Sequence, residues 1–335
     1  MLEKCDRVEG GGLVVAPGLS VPVPVVVAQT SEKAGWRFVE FFIAHLENGN
    51  TRKAYRRAVY QFLDWCDQNG VRDLAAIQFT HVATYREVLL RSGKSAPTVN
   101  QHLAALRQCF EWLVDGKVLQ ENPAKSVKGP KHKVKEGKTP VLELEDLQQL
   151  FSSFDASQVI GLRDRALIGI MFFTFARVGA VVAMNVEDYF VQGKRAFVRL
   201  HEKGGKYLKR PVHHLLEEYL DQYIEAAAHQ LGDGWEKQSP LFPSTRGRSR
   251  KLSSNRLSAN SAWYMVQRRG LDAQIETRIC NHSFRGSGIT NYLENGGSLD
   301  IAQEMAAHED PRTTKLYDRR REKLSQTEIE RIRIF

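Results

Sequence analysis

The sequence predicts a mainly α-helical protein of two domains, with a small β-hairpin sheet in the second. Apolar residues recur at helical spacings through residues 31–115, whereas the alternation typical of strands appears at residues 187–213. A lysine-rich stretch with three prolines, residues 116–140, separates the two apolar regions. A chain of 335 residues is long enough to give each domain its own hydrophobic core.

Four helices are predicted in residues 31–115 because each apolar, helically spaced segment follows a capping residue. The expected caps are Ser31, Asn50–Thr51, Thr80 and Ser95, and Asn69–Gly70 ends the second helix. The preceding residues 1–30 are predicted to form a flexible arm, since Pro17, Pro22 and Pro24 oppose a regular helix. Glu3 and Asp6 do not fit the basic start of a signal peptide.

Composition favours a polyanionic partner. The chain has 48 Lys and Arg against 39 Asp and Glu, a net charge of +9, which is typical of proteins that bind nucleic acid. The four cysteines, Cys5, Cys66, Cys109 and Cys280, are widely separated, which indicates reduced thiols in a cytosolic protein rather than a zinc site or disulfides. No run of apolar residues is long enough to predict a membrane span.

Basic side chains gather at predicted helix starts and between the domains. At helix starts the backbone amides also favour phosphate. Residues 116–140 contain seven lysines and are predicted to be an extended linker lying across phosphates. These charges form either a solvated surface or a DNA-binding one. The candidates for DNA contact are Arg52, Lys53, Arg56, Arg57, Lys94, Arg107, Lys131, Lys133, Arg248 and Arg250.

The second domain is predicted at residues 141–323 and begins with a helix at 142–151. A helix at 160–176 is apolar on nearly every side and should be buried, ending at Arg177. The Arg177 guanidinium either complements the helix C-terminus or is partly buried and needs a partner, which a bound phosphate would supply. A hairpin follows, with Lys203 and Lys206 on either side of a glycine tip. Helices are then expected at 214–230 and 261–269, separated by a flexible polar loop at 244–254.

The residues from His282 to Tyr317 carry the strongest chemical signal. His282 and Arg285 are three apart and share a helix face, and His308 precedes a predicted helix that Asp310 caps and Pro311 opens. Tyr317 is expected about two turns into that helix. Arg binds phosphate oxygens as a fork, His transfers protons and Tyr can attack as a nucleophile, so this set suits a phosphodiester.

This pattern of H-x-x-R, a later His and a Tyr nine residues after it resembles the tyrosine recombinases, or phage integrase family. The resemblance covers residues 31–335 and implies a core-binding domain at 31–115 and a catalytic domain, closing around DNA as a clamp. It also implies an upstream catalytic arginine and a hairpin lysine, for which Arg177 and Lys203 are the candidates, with Lys206 as the alternative. Three positions depart from the family's usual pattern: Ala180 replaces Glu or Asp, Glu202 replaces the first Gly of Gly-Lys-Gly, and Gly286 replaces His.

The resemblance implies a site-specific recombinase that integrates, excises or resolves DNA through a 3′-phosphotyrosine at Tyr317. The catalytic residues would be Arg177, Lys203, His282, Arg285, His308 and Tyr317, without a metal or other cofactor. The alternatives are a type IB topoisomerase and a DNA-binding protein whose catalytic set has decayed.

The partners implied are double-stranded DNA and three further copies of the chain. The protein would be a monomer or dimer when free and a tetramer in the synaptic complex, acting in the cytoplasm at the nucleoid. The apolar tail, residues 324–335, packs either on its own domain or on a neighbouring subunit, and the resemblance favours the neighbour.

Overall fold

The computed structural model describes residues 13–15, 22–132, 139–202, 206–247 and 249–318. The chain divides into two compact units, Met1–Lys133 and Val134–Phe335. The boundary falls within the predicted linker. Each unit has its own hydrophobic core, as the sequence predicts.

The first unit begins earlier than residue 31. Strand β1 (Leu13–Val15) pairs antiparallel with β2 (Pro22–Pro24), and a short helix, α1 (Val25–Ala28), follows at once. Three valines of this segment are fully buried in the core: Val23, Val26 and Val27. The prediction of a flexible arm is therefore wrong for residues 22–28. The prolines do prevent a long helix, but they are compatible with a two-stranded sheet, and the valines pack inward.

Four longer helices follow where they are predicted: α2 (Glu32–Glu40), α3 (Gly49–Gln68), α4 (Phe79–Arg91) and α5 (Ala96–Asp115). A π-helical turn, Phe41–His45, continues α2. Ser31 caps α2 as expected, its Oγ accepting from the amide of Ala34 at 3.1 Å. The caps of α3 and α4 are Asn48 and Gln78, each two residues before the predicted ones. The four-helix domain is confirmed.

The beginning of the predicted linker is part of the first unit. Arg107 on α5 donates to the carbonyl of Val127 at 2.6 Å, and Asn100 donates to that of Pro130 at 3.2 Å. Four apolar side chains of this segment are buried: Leu119, Pro123, Ala124 and Val127. The prediction of an extended linker is therefore wrong for residues 116–130. Their apolar residues are too sparse to show a period, yet sufficient to anchor the chain.

Helices dominate the second unit: α6 (Leu144–Ser152), α7 (Val159–Phe173), α8 (Val178–Ala183), α9 (His214–Leu231), α10 (Ala259–Asp272), α11 (Asn281–Glu294), α12 (Leu299–Ala306) and α13 (Pro311–Lys315). The predicted apolar helix, α7, is central and packs against α9 and α11. The contact with α11 needs a glycine, because a Cβ at Gly288 would lie 2.1 Å from the carbonyl oxygen of Phe172.

The predicted hairpin is confirmed and gains a third strand. Strands β3 (Tyr189–Gln192), β4 (Arg195–Glu202) and β5 (Lys206–Pro211) form an antiparallel sheet in that order. Leu200 pairs with Leu208 across β4 and β5. The flexible loop predicted at 244–254 is wrong, since β6 (Pro243–Thr245) and β7 (Leu252–Arg256) pair as a second hairpin.

A buried carboxylate joins α7, α10 and the second hairpin. Asp164 on α7 is fully buried and accepts from Nε of Arg163 at 3.0 Å and Nε of Arg269 at 2.9 Å. Arg163 also donates to the carbonyl of Pro243 on β6 at 2.9 Å. A buried charge is tolerated when it is paired and hydrogen-bonded, so these contacts stabilise the arrangement of the three elements.

No helix in the part of the chain that the structure describes is long and apolar enough to cross a membrane.

Candidate active site

Arg285 lies at the centre of the second unit and is only 2% exposed. It belongs to α11, whose residues 283–290 are all buried. Its guanidinium donates to two backbone carbonyls, those of Phe175 after α7 and Ala306 at the end of α12. The buried guanidinium therefore links three helices.

A residue with a left-handed backbone conformation lies at each of the two carbonyls that bind Arg285, either carrying the carbonyl or following it. Phe175 has φ of 56°, and Ala307, directly after Ala306, has φ of 47°. Residues other than glycine rarely adopt this conformation, which costs about 1 to 3 kcal/mol each. Strain of this kind concentrates at functional sites, where the surrounding structure holds it in place.

Arg177 is half-buried and begins a helix instead of ending one. Helix α7 ends at Phe173, and Arg177 is the N-cap of α8. Its predicted position near the C-terminus of the apolar helix is wrong, because the turn through Phe175 intervenes. Ala180 is buried on α8 and offers no side-chain acceptor. The charge of Arg177 acts on both His282 and His308, which places it in their cluster.

Two imidazoles of lowered pKa accompany the guanidiniums. Partial burial lowers the pKa of His282 although one side of the residue is exposed, and the charges of Arg285 and Arg177 lower it further. Burial lowers the pKa of His308 to about 4, aided by Arg285, Arg177 and His282. Both rings are thus neutral at pH 7, when each has one N–H donor and one acceptor nitrogen.

Hydrogen bonds on both sides hold His308 in place. Its amide donates to the carbonyl of Gln303 at 3.1 Å, and Nε2 of Gln303 donates to the carbonyl of His308 at 3.1 Å. The Nδ1 atom shares a hydrogen bond of 2.9 Å with Oγ1 of Thr314, which is fully buried. The orientation of the imidazole is therefore fixed by its neighbours.

Tyr317 lies beside His308, with the two rings nearly parallel at 9° and their centroids 6.2 Å apart. Helix α13 begins as predicted, with the Asp310 carboxylate accepting from the amide of Arg312 at 2.9 Å. The helix ends at Lys315, so Tyr317 follows it and is not two turns inside it as predicted. Oγ1 of Thr290 on α11 donates to the Tyr317 carbonyl at 3.1 Å.

The structure thus brings together five of the six predicted catalytic residues: Arg177, His282, Arg285, His308 and Tyr317. Lys203 lies outside the described residues, as does the side chain of Lys206. The described part of β5 reaches the site, because Arg210 donates to the carbonyl of Glu304 on α12 at 2.7 Å. Leu208 and Arg210 line an open cleft of about 460 Å³ together with His308.

The candidates for DNA contact divide into two groups. Arg52 and Arg107 are half-buried and donate to the backbone carbonyls of Leu46 and Val127, respectively. These hydrogen bonds stabilise the fold of the first unit. Six others are exposed: Lys53, Arg56, Arg57, Lys94, Lys131 and Arg250. Burial lowers the pKa of His102, and the charges of Lys94 and Arg57 lower it further. Lys133 and Arg248 are outside the described residues.

The residues that support the site were not predicted from the sequence. Thr290, Thr314 and Ser287 carry no motif of their own, although their hydroxyls bind Tyr317, His308 and the entry segment of the unit. For Thr314, one sequence feature could have indicated a role in the site, namely its position three residues before Tyr317. The left-handed turns at Phe175 and Ala307 give none, because neither residue is a glycine or asparagine.

The arrangement suits attack on a phosphodiester. The guanidiniums of Arg177 and Arg285 can stabilise negative charge on phosphate oxygens, and neutral imidazoles can accept or donate protons next to a tyrosine hydroxyl. Among the described residues, no group of three His, Cys, Asp or Glu side chains is placed to hold a metal ion.

Comparison with known proteins agrees with this chemistry. Residues 140–323 match the Phage integrase family, and residues 39–117 match the Phage integrase, N-terminal SAM-like domain. The chain is 30% identical over 271 residues to tyrosine recombinase XerD of Staphylococcus epidermidis (strain RP62A), covering 81% of this chain and 88% of the relative. It is 29% identical to XerD of Listeria monocytogenes (serotype 4b), covering 84% and 91%.

The fold is that of solved recombinases. One of them is the structure of XerH site-specific recombinase bound to palindromic difH substrate, a post-cleavage complex. The match covers 95% of this chain and 100% of the XerH chain, with a TM-score of 0.69 at 16% identity. These relatives are recombinases, which favours recombination over the topoisomerase and non-catalytic alternatives. With its two matched regions and the five gathered side chains, the chain belongs to the phage integrase family and is a site-specific tyrosine recombinase.

Proposed function

We propose that this recombinase cuts DNA by attack of the Tyr317 hydroxyl on the scissile phosphate, forming a 3′-phosphotyrosine. The observation that carries the proposal is the position of the Tyr317 ring beside His308, in a cluster with His282 and the two arginines. The Tyr317 Oη–P bond forms as the P–O5′ bond breaks. The tyrosine proton passes to His282, and the departing O5′ takes a proton from Lys203.

Rejoining follows from the same chemistry in reverse. The 5′-hydroxyl of a second DNA strand attacks the phosphotyrosine and releases Tyr317. Because the phosphodiester energy is kept in the covalent intermediate, the exchange requires neither ATP nor a metal ion. His308, fixed by Thr314, donates a hydrogen bond to a phosphate oxygen or orients the tyrosine. A neutral His308 suits this role, since it presents one donor in a fixed direction.

Arg177 and Arg285 are proposed to bind the non-bridging phosphate oxygens. Preorganised donors of this kind act where charge develops in the transition state and give the largest single contribution expected for phosphoryl transfer. The bonds of Arg285 to two carbonyls hold its guanidinium before DNA arrives, so little reorganisation is needed.

The covalent step is tested by capture. The protein is incubated with sheared genomic DNA of its source organism, and complexes that survive denaturation are recovered and sequenced. We expect one recurring site and a phosphotyrosine at residue 317. Recovery of DNA that is bound but never covalently joined would contradict the proposed chemistry.

Lys203 is the proposed acid for the leaving O5′ atom. A Lys203→Ala variant should cleave the captured site slowly, and a substrate with a bridging 5′-phosphorothiolate should restore the rate, because a thiolate leaves without protonation. The measurement is the cleavage rate on the two substrates. Lys206→Ala is the matched control from the other side of the glycine tip. Rescue of Lys206→Ala in place of Lys203→Ala would transfer the role to Lys206.

DNA binding is proposed to involve both units, closing around the duplex as a clamp. Lys53, Arg56 and Arg57 are exposed at spacings of three and four on α3, so they share one helix face. Lys94 is exposed just before α5. Lysine and arginine contacts of this type make affinity strongly salt-dependent. Arg52 and Arg107 are better assigned to holding the backbone of their own unit.

We propose that recombination takes place in a tetramer on two DNA sites, at the nucleoid in the cytoplasm. A solved lambda integrase structure, with a TM-score of 0.63 to this chain, is a tetramer bound to a Holliday junction. The tail, residues 324–335, lies outside the described residues, and its apolar side chains are proposed to dock on a neighbouring subunit.

Deletion of residues 325–335 should leave half-site binding by one protomer intact while abolishing synapsis and strand exchange. Half-site binding and synapsis are measured by gel mobility, and strand exchange by product formation. A matched control replaces only the acidic residues of the tail, Glu328 and Glu330, by Gln. A truncated protein that recombines normally would contradict docking on a neighbour, and one that melts much earlier would indicate packing on its own domain.

A further inference from the structure

Gly286 is a glycine inside a helix, in a place where the backbone does not require one. It lies within α11, and its φ is not positive. Glycine is disfavoured in a helix interior relative to alanine, since it loses more conformational freedom on folding. A reason for glycine at residue 286 must therefore come from the surrounding space.

That space is filled by the tyrosine. A Cβ built on Gly286 would lie 3.0 Å from Cε1 and 3.4 Å from Cδ1 of Tyr317. It would also lie 3.3 Å from Cγ2 of Val141. Distances of 3.0 and 3.3 Å are closer than ordinary carbon–carbon contacts, so the neighbours would have to move by a few tenths of an ångström.

The tyrosine ring lies in a slot with three walls: the backbone of Gly286, the side chain of Val141 and the imidazole of His308. Val141 is fixed by its neighbour, because the amide of Leu142 donates to Oγ of Ser287 at 2.8 Å. Ser287 in turn donates to the carbonyl of Ser283 at 2.8 Å. The segment entering the second unit is thus attached to the helix that carries Arg285.

We propose that Gly286 is a positioning residue, whose missing side chain allows the Tyr317 ring to lie against α11 beside His308. The inference rests on the proposed role of Tyr317 as nucleophile. A side chain at residue 286 would stand in the space that the Tyr317 ring fills. A methyl group at residue 286 displaces the ring from the proton acceptor and the arginines.

Gly286→Ala tests the proposal in the full-length protein on the captured DNA site. Displacement of a reacting group by less than 1 Å should lower the single-turnover rate of covalent adduct formation about tenfold, while half-site affinity stays unchanged. The melting temperature should not fall, because alanine favours the helix. Gly179→Ala is the matched control, since a Cβ there meets nothing within 4 Å and Gly179 lies on α8 near Arg177.

A second substitution distinguishes a steric effect in the slot from a general effect of alanine on α11. Val141→Ala removes one of the atoms that a methyl group at residue 286 would meet, so the Val141→Ala/Gly286→Ala double variant should cleave faster than Gly286→Ala. A Gly286→Ala protein that cleaves at the wild-type rate, or that loses affinity or stability in proportion to rate, overturns the proposal. So does a double variant no faster than Gly286→Ala. Absence of any adduct in the wild-type protein would instead overturn the proposed function.

Discussion

Tyr317→Phe should bind its DNA site with unchanged affinity and form no covalent complex on a nicked suicide substrate. Phenylalanine keeps the ring that lies beside His308 and over Gly286, so the packing of the slot is preserved and only the hydroxyl is lost. Adduct formation is measured on denaturing gels and half-site affinity by titration. The rate should fall below detection, because no other group replaces the nucleophile.

Tyr264→Phe is the matched control for this experiment. Tyr264 lies on α10 and is 62% exposed, so its hydroxyl could reach DNA without belonging to the site. The control should form adduct at the wild-type rate. An adduct that persists in Tyr317→Phe and maps to Tyr264 or Tyr292 would show that the nucleophile is misassigned.

Arg285→Ala should lower the cleavage rate by about 10² or more, the usual effect of removing one transition-state donor. It should also lower the melting temperature. Two carbonyls lose their guanidinium partner, and an unsatisfied buried acceptor costs about 1 to 3 kcal/mol. Cleavage is measured in single turnover below the melting transition, and DNA affinity by titration. Affinity should fall far less than the rate.

Arg177→Ala and Arg165→Ala complete the comparison. Arg177→Ala should lose about 10² in cleavage as well, since Arg177 is proposed to bind the same phosphate. Arg165 lies on α7 and donates to Gln222, away from the described site, so its replacement should leave the cleavage rate unchanged. Equal losses of affinity and cleavage in Arg285→Ala would indicate a structural role for this arginine.

The sequence predicts those features that local chemistry determines. The helices of both units follow from apolar period and capping residues, and the central position of α7 follows from its apolar surface. The start of α13 at Asp310–Pro311 is likewise confirmed. Six catalytic candidates could be named because their order and spacing form a recognisable set, although each residue alone is uninformative.

The features that the sequence did not predict depend on tertiary contacts. Val23, Val26 and Val27 are buried because the first unit offers them a core, which the prolines around them do not reveal. The end of α7 was placed too late, because the left-handed Phe175 has no local signature. The slot at Gly286 depends on Val141, which lies 145 residues earlier in the chain and is held next to α11 by the hydrogen bond between Leu142 and Ser287.

The hydrogen bonds of Arg285 make the active site of this protein dependent on complete folding of the second unit. Its guanidinium takes its acceptors from the ends of α7 and α12, and α12 leads directly to His308 and Tyr317. A nascent or partly unfolded chain, in which the last helices have not docked, holds neither the arginine nor the tyrosine in place. Assembly of the site therefore requires that the last helices of the second unit are folded.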